Sequence, residues 1–323
     1  MARPKSCSIG SRPACAGLPQ LRAELHVTDL HATELHVNLR GIRLMAGAMA
    51  CFVVNDMLVK IVSQALPAAQ LIFLRGLMAT VLILAIARIS GTPMRRAELA
   101  QPAVMVRAAI DGIASIFYLV SLFHLPIANA TAINMASPLF IALFAVLLLG
   151  ERIDARRGLA IGAGFVGVLM VIQPRSEGFN AFSLLCLLAT FLHAVRDLAT
   201  RRIAPGIASL AITLTTAVAV TLMAGGLSVF QGWQTPGAFE LGMLAGASLF
   251  LSAGYLMIIA STRSGDLSVV APFRYVGLLC ALVLGWLVWG DVPNALAWLG
   301  IALLLAAGLY LIERERARRV TAS

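Results

Sequence analysis

The sequence predicts an all-α polytopic membrane protein whose ten transmembrane helices form two inverted five-helix repeats. Three observations predict it. Hydrophobic residues make up 60% of the 323 residues and charged ones 12%, with mean hydropathy +0.90, against about 25% charged in soluble domains. Continuous apolar runs, each about the length that crosses a bilayer core, follow one another along the chain. Finally, the basic residues fall mostly between those runs and on alternate sides. A β-barrel is excluded because the runs do not alternate every second residue, which leaves helices as the spanning structure.

Residues 1–41 form a polar leader with no continuous apolar stretch of the kind a signal peptide carries. Its stretch LHVTDLHATELHV places His26, His31 and His36 five apart. A disordered tail explains this segment without a metal. The spans then run over 42–62, 68–88, 104–123, 128–149, 158–173, 181–200, 208–229, 239–260, 268–289 and 295–312. The fifth is short and begins just after Arg156 and Arg157, whose stems can snorkel. A basic tail, 313–323, closes the chain. The loops are too short for a soluble domain, so function lies in the bundle.

Charge sets orientation. Arg40 and Arg43 precede span one, Arg88, Arg95 and Arg96 follow span two, and Arg152, Arg156 and Arg157 follow span four. Arg201 and Arg202 follow span six, Arg263 follows span eight, and Arg314, Arg316, Arg318 and Arg319 follow span ten, while the alternate loops carry only Arg175. Both termini are expected in the cytoplasm. The net charge of +10 is thereby a membrane-orienting charge, and no nucleic-acid partner is expected. Cys7, Cys15, Cys51, Cys186 and Cys280 show no metal-ligand spacing, and the last three read as small core residues.

The chain also repeats itself. LLLGERI at 147–153 matches LVWGDVP at 287–293, with Gly150 and Glu151 standing 140 residues before Gly290 and Asp291. NDMLVK at 55–60 matches RDLATR at 196–201, with Asp56 and Lys60 standing 141 residues before Asp197 and Arg201. Each half has five spans, an odd number, so the halves insert in opposite senses. That arrangement recurs in secondary transporters.

The segment LPIANATAINMASPLFIALFAVLLLGERIDARRGLAIGAGFVGVLMVI, 125–172, resembles the EamA repeat of the drug/metabolite transporter superfamily. It has a small-residue fourth helix with a Pro, a closing Gly-Glu, a basic turn and a Gly-spaced fifth helix. The second copy, VVAPFRYVGLLCALVLGWLVWGDVP at 269–293, together with ND…K in span one and Arg75–Gly76, is similar to a bacterial subgroup. That subgroup includes S-adenosylmethionine uptake transporters and, more loosely, riboflavin transporters. Asp291 departs from the pattern, which usually has Glu. The resemblance covers about 42–315 and implies secondary transport through a central cavity in a bacterial inner membrane, with no cofactor.

Charges at bilayer depth are the candidate site, because they are costly unless they face a cavity or a partner. Asp56, Lys60, Arg75, Asp111, Asp197 and Arg274 are the ionisable candidates, and Tyr118, Tyr255 and Tyr275 the aromatic ones. Lys60, Arg107, Arg196 and Arg201 are near enough to an interface for snorkelling to be the alternative. Asp56 with Lys60 and Arg107 with Asp111 are i, i+4 pairs of opposite sign, each able to neutralise itself within one helix. The repeat would place Asp56–Lys60 and Asp197–Arg201 at opposite ends of the cavity, as two gates. Arg274, between Pro272 and Tyr275, is the expected substrate contact, with Arg75 a second deep cation. Guanidinium forks favour an anionic or zwitterionic substrate, and Tyr118 and Tyr255 could stack on a ring or simply pack.

His193 is read as a helix–helix hydrogen bond, with proton relay as the alternative. Glycines 162, 164 and 167 read as close helix packing, with a homodimer through spans five and ten as one use of it. Rival classes explain less. An intramembrane enzyme would need clustered acids or HExxH, a channel a continuous polar face, and a scaffold would need no buried charge. No nucleotide-binding motif or metal site occurs in the sequence.

Overall fold

A computed structural model describes residues 18–92, 94–149, 155–174, 180–200, 202–204, 206–264 and 267–322. Among these every regular element is helical. The repeat residues Gly150, Glu151 and Arg201, the loop residues Arg152 and Arg175, and Cys7 and Cys15 lie outside the described residues.

The chain enters through α1 (Leu18–Val62). Its apolar part is Asn38–Val62, but the helix itself starts inside the polar leader, where disorder was expected. The chain turns at Pro67, whose fixed φ of −55° suits a helix start, into α2 (Ala68–Ile89). A short α3 (Arg96–Leu99) precedes α4 (Pro102–His124), where proline again opens the helix at a position whose N–H has no intrahelical partner. α5 (Ile127–Asn134) and α6 (Ser137–Leu149) together make one span with a break at Met135–Ala136. Pro138 contributes to that break, because it has no N–H to offer the carbonyl of Asn134 one turn back.

The first half ends with α7 (Ala155–Ile172), and the second begins with α8 (Phe182–Thr200), α9 (Ser209–Gln231) and α10 (Ala238–Ser264). The next span is again interrupted. A four-residue α11 (Leu267–Val270) passes through a 3-10 turn, Ala271–Tyr275, before α12 (Val276–Trp289). Gly290 ends α12 at φ +70°, a left-handed conformation that closes the last turn without a Cβ penalty. Asn294 then accepts from the Ala297 N–H at 2.8 Å and opens α13 (Ala295–Ala322).

Nine of these helical segments among the described residues are long and apolar enough to cross a membrane. The expected fifth span is the shorter apolar helix Gly158–Ile172. α1 packs along α10 and α12, α2 along α9, α4 along α8 and α9, α7 along α13, and α5 bridges α12 and α8. Leu71, Ile72, Leu122, Ile133, Leu139, Leu278 and Leu304 are among the fully buried side chains at the centre. Outward, Ile89 and Phe230 are each 88% exposed and Leu159 76%. Such side chains are natural where the solvent is lipid.

The glycine spacing of α7 serves the interior. Gly164 abuts Leu139 and Ala307, and Gly167 and Gly300 bring the α7 and α13 backbones together. A Cβ on Gly300 would stand 2.6 Å from the Gly167 carbonyl oxygen, whereas one on Gly162 would meet nothing within 4 Å. Gly164 and Gly167 are therefore used for packing within one chain, while Gly162 is not. Gly300→Ala should lower the thermal unfolding midpoint, by an overpacking cost of about 1–3 kcal/mol. Gly162→Ala should leave it unchanged or raise stability by up to about 1 kcal/mol through helix propensity.

Candidate functional site

Polar side chains converge inside the bundle in two clusters. The first is built on α1. Asn55, 2% exposed, sits between a cation and an anion: its Oδ1 accepts from Nη1 of Arg75 on α2 at 3.3 Å, and its Nδ2 donates to Asp56 Oδ1 at 2.9 Å. The charges on either side fix which end of the amide faces which group. Asp56 Oδ2 accepts from the hydroxyl of Tyr118 on α4 at 2.8 Å. Arg75 is 6% exposed, and its Nε finds no acceptor. Its backbone carbonyl is held by Ser248 Oγ of α10 at 3.0 Å. Thus α1 meets the guanidinium itself, and α10 holds the backbone that carries it.

The second cluster joins α4, α8 and α9. Asp111, 3% exposed, accepts from Arg196 Nη1 at 2.8 Å and faces Arg107 Nη1 at 3.4 Å. Arg196 also holds Asp197 Oδ1 through Nη2 at 2.7 Å and Nε at 3.0 Å. Arg107 reaches across to Thr200 Oγ1 at 3.2 Å and to Thr216 Oγ1. Two acids and two arginines balance in charge here, and the threonine hydroxyls take guanidinium donors that the carboxylates leave over. Tyr255 lies within electrostatic reach of Arg75 and of Asp111, Arg196 and Arg107, with its ring edge-on to Phe52 at 5.4 Å.

Several expectations change. Asp56 and Lys60 do not pair. Lys60 Nζ donates to the carbonyls of Leu122, at 3.1 Å, and Leu125 at the C-terminal end of α4, and lies 5.4 Å from the ring centre of Trp289. Those carbonyls have no intrahelical donor and carry the negative end of the helix dipole, so they compete successfully for the ammonium. Arg107 and Asp111 do meet, but the shorter bond to Asp111 comes from Arg196, which the spacing rule could not reveal. Asp197 is engaged by its neighbour Arg196. Arg274, expected deep, is exposed on the 3-10 turn, while Tyr275 beside it is buried against Gly308 with its hydroxyl unpartnered among the described residues. The 3-10 turn swings consecutive side chains to different sides.

His193 makes the helix–helix bond expected of it, Nδ1 to Asn134 Oδ1 at 3.1 Å, next to the break in the α5–α6 span. One turn earlier the Thr190 hydroxyl, bonded at 2.8 Å to the Cys186 carbonyl of its own helix, lies 3.4 Å from the Ile133 carbonyl, and the Cys186 thiol donates to that of Ala130 at 3.6 Å. This face of α8 therefore presents polar groups to the interrupted helix. Asn55 and Ser248 were not singled out in the sequence. Asn55 had one usable signal, its place beside Asp56 in an apolar run. Two apolar grooves, of about 460 Å³ beside Phe73, Gly225 and Trp233 and about 190 Å³ beside Ile72, Phe117 and Leu227, do not touch either cluster.

Removing Arg196 would leave Asp111 buried with only the longer Arg107 contact. Arg196→Gln should destabilise the protein by about 3 kcal/mol, the usual cost of orphaning a buried charge. In a double-mutant cycle, Arg196→Gln with Asp111→Asn should cost less than the two changes summed, as read from thermal unfolding in detergent.

The EamA-like transporter family model matches this chain twice, over residues 39–173 and 181–313. A pseudopaline exporter of Pseudomonas aeruginosa is 28% identical over 283 residues, covering 85% of this chain and 97% of that protein. A riboflavin transporter of Rhizobium johnstonii is 32% identical over 216 residues, covering 67% and 68%. An S-adenosylmethionine uptake transporter of Rickettsia prowazekii is 26% identical over 191 residues, covering 59% and 65%. A solved crystal structure, 19% identical, superposes with a TM-score of 0.57 over 86% of this chain and 97% of its own, so the fold has been seen before. With both halves matched and its polar groups gathered inside a multi-pass bundle, the chain belongs to the EamA-like transporter family and is a membrane transporter, not an enzyme.

Proposed function

We propose that the protein is a secondary transporter of the bacterial inner membrane that moves a small anionic or zwitterionic metabolite by alternating access, with both termini cytoplasmic. The leading substrate is S-adenosylmethionine or a related amino-acid derivative. Riboflavin is the second reading, favoured by the 32% identity to a riboflavin transporter. Export is a further arm, since one relative is a pseudopaline exporter.

The observation that carries this reading is the pairing of buried polar groups with repeated packing. We infer ten spans, with Gly158–Ile172 as the fifth, in two inverted halves. The contacts support it: α1 of the first half against α10 of the second has its counterpart in α8 of the second against α4 of the first, while α2–α9 and α7–α13 pair each element with its own repeat mate. Both fourth spans are interrupted, at Met135 and at Tyr275, 140 residues apart. That offset equals the one between Gly150 and Gly290.

Under this topology α4 is held near its middle, where Arg196 of α8 grips Asp111, and at its C-terminal end, where Lys60 of α1 meets the last carbonyls. Lys60 then serves as an outer latch and the Asp111–Arg196 group as an inner one. Asp56, Arg75, Tyr118 and Tyr255 face the route between them. The two latches restrain one helix at two different heights, and opening either exposes the route to one side only.

Protein reconstituted in liposomes should take up labelled S-adenosylmethionine with saturation. Asp56→Asn and Asp197→Asn should each cut the rate by about tenfold or more, as removal of a charged hydrogen-bond partner usually does. Riboflavin in excess distinguishes the second reading by competition, and preloaded vesicles test export. Unchanged flux in both variants would defeat the placing of Asp56 on the route and of Asp197 beside the inner latch. No saturable flux of any of these solutes in either direction would defeat the substrate reading. A fluorescent reporter at the C-terminus should light up in the cytoplasm, and an outward-facing reporter enzyme there should stay silent.

A further inference from the structure

Arg75 is the one place in the first cluster where the protein leaves a strong demand unmet. Its side chain is 6% exposed, Nη1 bonds the Asn55 amide oxygen at 3.3 Å, and Nε has no acceptor. The nearest acid, Asp56, influences it electrostatically but is kept from direct contact by the interposed Asn55 amide. Asp56 in turn faces the Tyr118 hydroxyl and that same amide, with no ammonium or guanidinium bonded to it among the described residues. A cation and an anion thus lie side by side, separated by the width of one amide, each braced by neutral donors or acceptors and neither neutralised by the other.

A buried guanidinium without an ionic partner is costly, and an unmatched Nε–Nη2 edge is the geometry that a carboxylate fills with two parallel hydrogen bonds. The cost falls if the missing partner arrives with the substrate.

We propose that the Nε–Nη2 edge of Arg75 binds the carboxylate of an α-amino-acid-type substrate while Asp56, held by Tyr118 and Asn55, receives its ammonium. This inference rests on the transport reading and narrows its substrate class to amino carboxylates. A simple anion would satisfy Arg75 but lie against Asp56. A neutral ring system such as riboflavin would leave both charges unmatched. Asn55 is the positioning residue: it sets the spacing of the two charges and blocks their collapse into an ion pair. Ser248, bonded to the Arg75 carbonyl, fixes the helix that carries the guanidinium.

Binding to the purified full chain in nanodiscs tests this without requiring flux. The probes are methionine and S-adenosylmethionine, each beside its decarboxylated counterpart, with riboflavin as a ligand lacking both groups. On the wild type, loss of the carboxylate should weaken binding by about tenfold or more. In Arg75→Gln the acids should weaken to the level of their decarboxylated forms, so that the discrimination disappears, and Arg75→Lys should restore part of it. Equal affinity of acid and decarboxylated probe for the wild type overturns the proposal, and that comparison needs no folded variant. So does full discrimination retained in Arg75→Gln, binding of riboflavin alone, or no binding of either acid. Carboxylate-dependent binding without flux in liposomes would instead defeat the transport reading and leave the site assignment standing.

Discussion

Hydrocarbon offers a charged side chain nothing, and this constraint shapes the interior of the bundle. In water, Arg75, Asp111 or Lys60 would be solvated at no structural cost. At bilayer depth each must find its partner in the protein or in a passenger. Lys60 finds carbonyls at the end of α4, and Asp111 finds arginines from its own helix and from α8. Both solutions cross between helices. The polar groups therefore decide which helices hold each other and at which end, while the apolar surface alone would let helices slide or rotate.

The element boundaries were legible because the bilayer imposes a length and proline imposes starts. Pro67, Pro102 and Pro126 all stand at helix openings, as the spacing of the apolar runs requires. Partnerships were not legible. The i, i+4 rule places two side chains on one face, but it says nothing of what the next helix presents there. For Arg107 and Asp111 the shared face sufficed. For Asp56 and Lys60, α4 presented a hydroxyl near its middle and bare carbonyls at its end, and the two charges went separate ways. The exposure of Arg274 was illegible for a related reason: Pro272 signals a loosened helix in APFRY, but not the 3-10 turn that changes the angle between successive residues from about 100° to about 120°.

The breaks in the two fourth spans bear on the same constraint. A continuous helix satisfies its own backbone and can lie against lipid. An interrupted one exposes carbonyls and must be surrounded by donors. Along α5, the Cys186 thiol and Thr190 hydroxyl of α8 approach the Ala130 and Ile133 carbonyls, and His193 meets the Asn134 side chain. A polar face on α8, read from sequence as one candidate histidine, is therefore better understood as the counterpart of the break. His193 belongs to the framework around the route more than to the route itself.

The two clusters differ in how complete they are. Around Asp111 the charges balance and hydroxyls take further donors, so the group is stable with nothing bound. Around Arg75 and Asp56 the charges also balance, yet an amide holds them apart and one buried donor stays unmatched. A closed ion network resists change and suits a joint that opens only when the cycle supplies the energy. An incomplete one gains stability from a ligand carrying the complementary charges. Tyr255 lies within electrostatic reach of charges in both clusters.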